Sequence, residues 1–92
     1  DNKVLIIGDM LELGEYTISE HQHIINLVDN LNFKDIILVG NVFCEVCKNP
    51  DYKCFKNSLE AKGWLAKNPF YNSTILIKGS RGIKMEEVLD VL

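Results

Sequence analysis

A chain of 92 residues is long enough for one domain with a modest core of its own. Its hydrophobic fraction of 47% and charged fraction of 25% are those of an ordinary globular domain, and its net charge of −3 argues against a nucleic-acid or anionic-membrane surface. No apolar run approaches the roughly 20 residues of a membrane-spanning helix, and we expect no signal peptide. Because the first residue is Asp1 and not Met, we expect the chain to be part of a longer protein.

The first half of the chain predicts two buried strands with a helix between them. The strands are apolar, β-branched runs that each stop at a glycine, Lys3–Gly8 and Asp35–Gly40, and such runs are typical of parallel sheets. A loop over 9–16 precedes the helix, in which Thr17 and Glu20 have the spacing of a capping box with Thr17 as N-cap. The predicted inward-facing stripe follows the helical repeat: Ile24, Leu27, Val28 and Leu31.

The second half repeats the alternation of helices and strands. A short helix is predicted over 41–49, closed by Pro50, and a brief strand over 52–55. Ser58 is the predicted cap of a helix that ends at Lys67, with an inward face of Leu59, Trp64 and Leu65. The last strand is predicted over 74–78, followed by a helix with the stripe Met85, Val88, Leu89 and Leu92.

The element order βαβαβαβα predicts an α/β fold, a Rossmann-like three-layer sandwich with a mostly parallel sheet. The simplest winding gives the spatial strand order 3-2-1-4, so the winding reverses between the first and fourth strands. Open α/β sheets bind ligands at such a switch point, beyond the carboxyl ends of the strands. Two loops flank this point, over 8–14 and 79–82, and we expect a site between them.

The glycine-rich turn over 78–82 carries groups that suit an anion. Ser80 offers a hydroxyl, Arg81 offers a planar bidentate donor, and the following helix offers free backbone N–H groups. The turn has neither the Walker A spacing nor the dinucleotide fingerprint. A plain turn with two glycines for positive φ is an equally weighted alternative.

The loop after the first strand carries carboxylates. Asp9, Glu12 and Glu15 could hold a metal, a ribose hydroxyl or an ammonium group, and a solvated acidic loop is the commoner case. Gly14 is predicted to supply a left-handed turn. His21, in the first turn of the next helix, is expected to face partly inward, where it could orient the loop through a hydrogen bond or act as an acid or base; a structural histidine is the commoner case.

The three cysteines have the spacing C-x2-C-x6-C. An odd number of cysteines without a secretory signal predicts a reducing compartment. A zinc site would need a fourth ligand, and a redox pair usually opens a helix directly after a strand. The sequence therefore predicts partly buried free thiols and no metal site at Cys44, Cys47 and Cys54.

Two of these stretches together resemble the C-terminal domain of the Mur ligases. They are Gly8-Asp9-Met10 with Glu12-Leu13-Gly14 and His21, and the turn from Lys78 to Gly82. The segment over 41–71 matches only in its α/β pattern. The branch that adds the third stem-peptide residue carries an Asp-Asn-Pro-Arg loop in this domain, and its absence here favours the branch that uses D-alanyl-D-alanine. The family's domain starts with one more strand and helix, which we expect to lie upstream of Asp1, so residues 1–92 are expected to be a partial domain.

The resemblance implies that the full protein is a cytoplasmic, three-domain ligase that depends on ATP and Mg²⁺. Such a ligase joins D-alanyl-D-alanine to UDP-N-acetylmuramoyl-tripeptide in peptidoglycan synthesis, and so serves cell-wall biogenesis, cell shape and cell division. ATP would phosphorylate the terminal carboxylate of the tripeptide, and the dipeptide amine would attack the acyl phosphate. The implied partners are these two substrates and the N-terminal and central domains of the same protein, with no nucleic acid and no membrane.

The chain has no P-loop, so we expect it to be inactive alone, to hold neither ATP nor Mg²⁺ and to contain no catalytic residue. The resemblance and the chemistry of the side chains predict these substrate-binding residues: Asp9, Met10, Glu12, Lys78, Gly79, Ser80 and Arg81. His21 and Gly14 are expected to orient the loop, and Lys78 is expected to meet a phosphate oxygen or to pair with Asp9. Alternatives are another Mur or folylpolyglutamate-type ligase, or a stand-alone Rossmann-like module that binds an anion or a nucleotide.

Overall fold

The computed structural model describes residues 2–11 and 13–79. The helix predicted after residue 82 lies outside this range, as do Glu12, Ser80 and Arg81. No helix within the described range is long and apolar enough to cross a membrane. The elements, in chain order, are β1 (Asn2–Gly8), a 3₁₀ turn (Gly14–Tyr16), α1 (Thr17–Asp29), β2 (Asp35–Val39), α2 (Asn41–Val46), β3 (Lys53–Phe55), α3 (Ser58–Lys67) and β4 (Ser73–Lys78).

The four strands form one parallel sheet in the order β3-β2-β1-β4. This confirms the predicted fold class and strand order. Strand β1 is central and pairs with β2 on one side and with β4 on the other. The register places Ile7 beside Lys78, so the chain leaves β1 and β4 at the same end of the sheet. The winding reverses between these two strands, as predicted.

Helices cover both faces of the sheet and give three layers. Helix α3 packs on one face, and α1 and α2 pack on the other. Right-handed crossovers explain this division, because β1 to β3 run in one direction across the sheet and the connection to β4 runs back. The core on the α3 face is Val4, Ile6, Ile37, Val39, Ala61 and Leu65. The core on the other face is Leu5, Ile25, Val28, Ile36, Leu38, Phe43 and Val46.

Helix α1 begins differently from the prediction. Tyr16 occupies the N-cap position, no side chain caps the helix, and Thr17 is its first residue. The Thr17 hydroxyl donates a hydrogen bond of 2.7 Å to the carbonyl of Gly14, within the preceding 3₁₀ turn. The predicted role of Thr17 as N-cap is therefore wrong, because its hydroxyl serves the turn and does not accept from the amide of Glu20.

The buried face of α1 is rotated relative to the predicted stripe. The helix buries three residues at helical spacing, His21, Ile25 and Val28. Ile24 is half-buried, whereas Leu27 and Leu31 are 51% and 55% exposed. The stripe was thus right for Val28 and wrong for the two leucines. A hydrophobic pattern misses this rotation because the stripe begins with a polar residue, His21.

Helix α3 has the predicted bounds, Ser58–Lys67, but a different cap. The side chain of Asn57 accepts a hydrogen bond of 2.9 Å from the amide of Glu60, so Asn57 is the N-cap and the prediction for Ser58 is wrong. Leu59 is 67% exposed and does not point inward. The inward face consists of Ala61, Leu65 and the half-buried Trp64.

Two of the three cysteines are joined in the structure. Cys44 on α2 and Cys54 on β3 form a disulfide, with their Cα atoms 5.5 Å apart. Cys47 is free and half-buried. The prediction of free thiols is therefore wrong for Cys44 and Cys54. The cysteine spacing alone does not show that α2 packs beside β3, and that packing brings the two sulfur atoms together.

Candidate functional site at the carboxyl end of the sheet

A cleft of about 510 Å³ opens at the switch point between β1 and β4. The end of β1, the loop that follows it, helix α1 and the end of β4 all contribute to its walls. Its lining is mostly apolar, and Lys78 carries the charge among the described lining residues. The residues that line it are Ile7, Gly8, Met10, Leu11, Ile24, Lys78 and Gly79.

Asp9 follows the lining residue Gly8 and holds the start of helix α2. Its side chain is buried, with 4% of the residue exposed. One carboxylate oxygen accepts a hydrogen bond from the amide of Val42 and the other from the amide of Phe43, both at 2.9 Å. The amide of Asp9 donates to the carbonyl of Val39 at 2.8 Å. The carboxylate thus satisfies two free N–H groups of a helix N-terminus, where a negative charge is favourable.

Gly40 gives the Asp9 carboxylate room to reach this position. A Cβ atom at Gly40 would lie 2.2 to 2.5 Å from the carboxylate atoms of Asp9, and the φ of Gly40 is +125°. Residues other than glycine rarely adopt this backbone conformation. Sequence reasoning identified Gly40 only as the end of a strand, although its position just before α2 was a signal for close approach of another group.

His21 is buried and holds the backbone of the loop. Its Nδ1 atom lies 2.6 Å from the carbonyl oxygen of Thr17, and its Nε2 atom lies 2.9 Å from the amide of Met10. A carbonyl can only accept and an amide can only donate, so Nδ1 carries the proton and Nε2 accepts. The ring is therefore in the neutral Nδ1–H form, and its edge packs on Phe43 with the centroids 4.6 Å apart. The Nε2 atom is 3.7 Å from Asp9 Oδ1, which is too far for a hydrogen bond.

The loop between β1 and α1 is thus fixed at successive residues by both helices on its face of the sheet. Asp9 is tied to α2, and Met10 is tied to α1 through His21. Gly14 has a φ of +59°, the left-handed conformation expected from the sequence. These contacts set the position of the Met10–Leu11 wall of the cleft.

Known proteins resemble this chain over almost its whole length. It is 38% identical over 94 residues to the UDP-N-acetylmuramoyl-tripeptide–D-alanyl-D-alanine ligase of Buchnera aphidicola subsp. Acyrthosiphon pisum. This alignment covers 98% of this chain and 20% of that protein. It is 33% identical to the ligase of the same name from Rickettsia prowazekii, over 98% of this chain and 21% of that protein. The resemblance to the Mur ligases is confirmed. No family model matches the chain.

Solved structures of Mur ligases share the fold. A crystal structure of MurF from Acinetobacter baumannii matches 97% of this chain and 21% of its own, with a TM-score of 0.79 and 26% identity. MurF from Thermotoga maritima, solved in complex with ADP, matches in fold with a TM-score of 0.72 at 22% identity. The chain therefore spans about one fifth of the length of these Mur ligases.

The structure brings some of the residues predicted from the Mur ligase resemblance together and separates others. Met10, Lys78 and Gly79 line one cleft. Asp9 and His21 are buried and are not among the described lining residues. No ion pair between Asp9 and Lys78 is present in the part of the chain that the structure describes. The predicted roles of Glu12, Ser80 and Arg81 fall on residues outside the described range.

Three apolar lining residues were not predicted as site residues. They are Ile7, Leu11 and Ile24. Ile7 is the last side chain of β1 before Gly8, and Ile24 belongs to the predicted helical stripe, so both were read as core. A signal was present, since an apolar residue at the carboxyl end of a strand next to a switch point lies where ligands bind.

Proposed function

We propose that this chain is the C-terminal domain of an ATP-dependent ligase that joins D-alanyl-D-alanine to UDP-N-acetylmuramoyl-tripeptide in peptidoglycan synthesis. The observation that carries the proposal is the match of 98% of the chain to relatives bearing that name. The cleft at the switch point supports it, because a substrate site is expected at this end of a parallel sheet. We assign the protein to the cytoplasm, where its nucleotide substrates are found.

The role of this chain is to position the amine substrate. The dipeptide carries a carboxylate and two methyl groups. Lys78 can pair with the carboxylate or with a phosphate oxygen, and the apolar walls suit the methyl groups. Ser80 and Arg81 follow the lining residue Gly79 directly in sequence, and we assign them to the same carboxylate, with Glu12 facing the ammonium group. Asp9 and His21 act by holding the loop that carries Met10.

The described cleft does not fit a magnesium ion. Magnesium prefers carboxylate and water oxygens, but the charged lining residue is the cation Lys78. The neighbouring carboxylate of Asp9 is buried and already accepts two hydrogen bonds. Since the sequence also lacks a P-loop, we assign ATP and Mg²⁺ to the other domains of the longer protein, and with them the activation of the tripeptide carboxylate.

The proposal is tested with the full-length protein. Purified enzyme with ATP, Mg²⁺, the UDP-linked tripeptide and D-alanyl-D-alanine should release phosphate and form the UDP-linked pentapeptide, which mass spectrometry detects. Glutamate with a folate substrate is the control for the related ligase. Product from folate and none from the dipeptide would refute the proposed substrate.

The division of labour is tested separately. The 92-residue chain alone should form no product, and its ligation of the dipeptide would refute its dependence on the other domains. Tight binding of ATP by the isolated chain would instead favour a nucleotide-binding module. In the full-length enzyme, Arg81→Ala should raise the KM for the dipeptide or lower kcat, with the KM for ATP unchanged. Unchanged kinetics would remove Arg81 from the site.

A further inference from the structure

Helix α1 contributes two neighbouring features to the cleft. His21 holds the amide of Met10, and Ile24, three residues later, is half-buried and lines the cleft itself. Residues three apart on a helix lie on the same side. The helix therefore both fixes the backbone of one wall, at Met10, and supplies a second wall with its own side chain.

Ile24 is a rigid part of the cleft wall that helix α1 supplies. Ile7 belongs to a strand paired on both sides, so its position follows from the sheet. Met10 has an unbranched, adaptable side chain, and Leu11 is 44% exposed on a loop. Ile24 is β-branched, which restricts it to one strongly preferred rotamer in a helix. The next residue, Ile25, is buried in the core and keeps the helix in place.

We propose that Ile24 is a specificity-determining residue that limits the size of the side chain that the amine substrate can place in this cleft. The inference rests on the proposed function, since it concerns the dipeptide of that reaction. An alanyl methyl group fits beside the branched side chain of Ile24, whereas a longer alkyl group competes with it for space. Lys78 lines the same cleft. Its proposed pairing with the carboxylate of the dipeptide would fix which side chain meets Ile24.

The test compares two dipeptides in the full-length enzyme. The ratio of kcat/KM for D-alanyl-D-leucine to that for D-alanyl-D-alanine is measured in the wild type, in Ile24→Ala and in Ile24→Phe. Removing three carbons from an apolar pocket should raise this ratio about tenfold or more in Ile24→Ala, and Ile24→Phe should lower it. A ratio is the chosen measure because loss of folded enzyme lowers both rates equally.

Leu27 provides the matched control. It lies three residues after Ile24 on the same helix, is 51% exposed and is absent from the described lining of the cleft. Because these changes in side-chain size lie outside that lining, Leu27→Ala and Leu27→Phe should leave the ratio within about twofold of the wild type. A ratio in active Ile24→Ala that stays within this range would overturn the role of Ile24 and leave the proposed function intact. A wild-type enzyme that does not ligate D-alanyl-D-alanine would overturn both.

Discussion

Replacing Gly40 with alanine tests the contact between Asp9 and the start of helix α2. The new Cβ would lie 2.2 to 2.5 Å from the carboxylate atoms of Asp9, well inside any real contact distance. Asp9 cannot swing aside freely, because its side chain is buried and holds the amides of Val42 and Phe43. The substitution must therefore displace the carboxylate and break both hydrogen bonds.

The expected magnitudes follow from these contacts. Loss of two charge-assisted hydrogen bonds to a helix N-terminus, one of them to the buried amide of Phe43, should cost about 3 kcal/mol. Alanine at φ +125° should add about 2 kcal/mol of backbone strain. Gly40→Ala should therefore lower the free energy of unfolding by about 5 kcal/mol, and Asp9→Ala by about 3 kcal/mol, by the same principles.

The two substitutions should not be additive. Once Asp9 is alanine, no carboxylate remains to be displaced, so Gly40→Ala should cost only its strain of about 2 kcal/mol in that background. The double-mutant cycle should therefore show a coupling of about 3 kcal/mol. Since a small domain has only about 5 to 15 kcal/mol of stability in total, the measurements should be made in sulfate or sucrose, which strengthen burial.

Urea titration of the 92-residue chain provides the assay. Trp64 packs between Phe55 and Phe70, and it is the single tryptophan of the chain, so its fluorescence reports unfolding. Gly63→Ala is the matched control, because a Cβ at Gly63, inside helix α3, meets nothing within 4 Å. It should stabilise the chain by up to about 1 kcal/mol. Additive costs for Asp9→Ala and Gly40→Ala would refute the described contact.

Three further stability measurements test other contacts. The double variant Cys44→Ser/Cys54→Ser should lose about 2.5 kcal/mol of stability, because the disulfide closes a loop with a sequence separation of 10. Reduction of the wild-type chain should cost the same amount. Equal stability of the oxidised and reduced wild-type chains would contradict the pairing. Asn57→Ala should cost about 1 kcal/mol through loss of the α3 cap, and a cost near zero would refute that cap. Burial, followed by the hydrogen bond to Asp29, raises the pKa of Tyr52 from 10.0 to about 12. The contribution of Tyr52 to the free energy of unfolding should therefore be complete below pH 10 and lost as the pH rises through 12. Tyr52→Phe should remove that part of the pH dependence of stability.

The loop and its anchors illustrate where sequence reasoning stops. The position of the loop over 9–16, between a strand and a helix, was predicted, as was the inward orientation of His21. The partners of Asp9 were not, because Val42 and Phe43 lie 33 and 34 residues away in the chain. Its neighbours in sequence indicated only an acidic loop, and burial of a carboxylate depends on donors that the fold brings to it.

The helix caps show the same limit at shorter range. Thr17 and Ser58 both have side chains that suit an N-cap, and the structure uses neither of them in that way. Asn57, one residue earlier than predicted, caps α3, and a 3₁₀ turn replaces the cap of α1. Several polar residues near a helix start compete for one position, and the path of the incoming chain decides between them.

The sequence by itself determined the strands, their order and the end of the sheet where the cleft opens. Those features follow from local hydrophobic runs, from alternation of strands and helices and from the right-handed crossover, none of which needs a distant contact. Only the tertiary structure decided that Asp9 is an internal anchor, that Cys44 pairs with Cys54 and that Ile24 faces the cleft. The contacts of Asp9 and of the two cysteines depend on which elements become neighbours. The orientation of Ile24 depends on a rotation of about one residue around the axis of α1. Local sequence patterns do not specify these neighbours or this rotation.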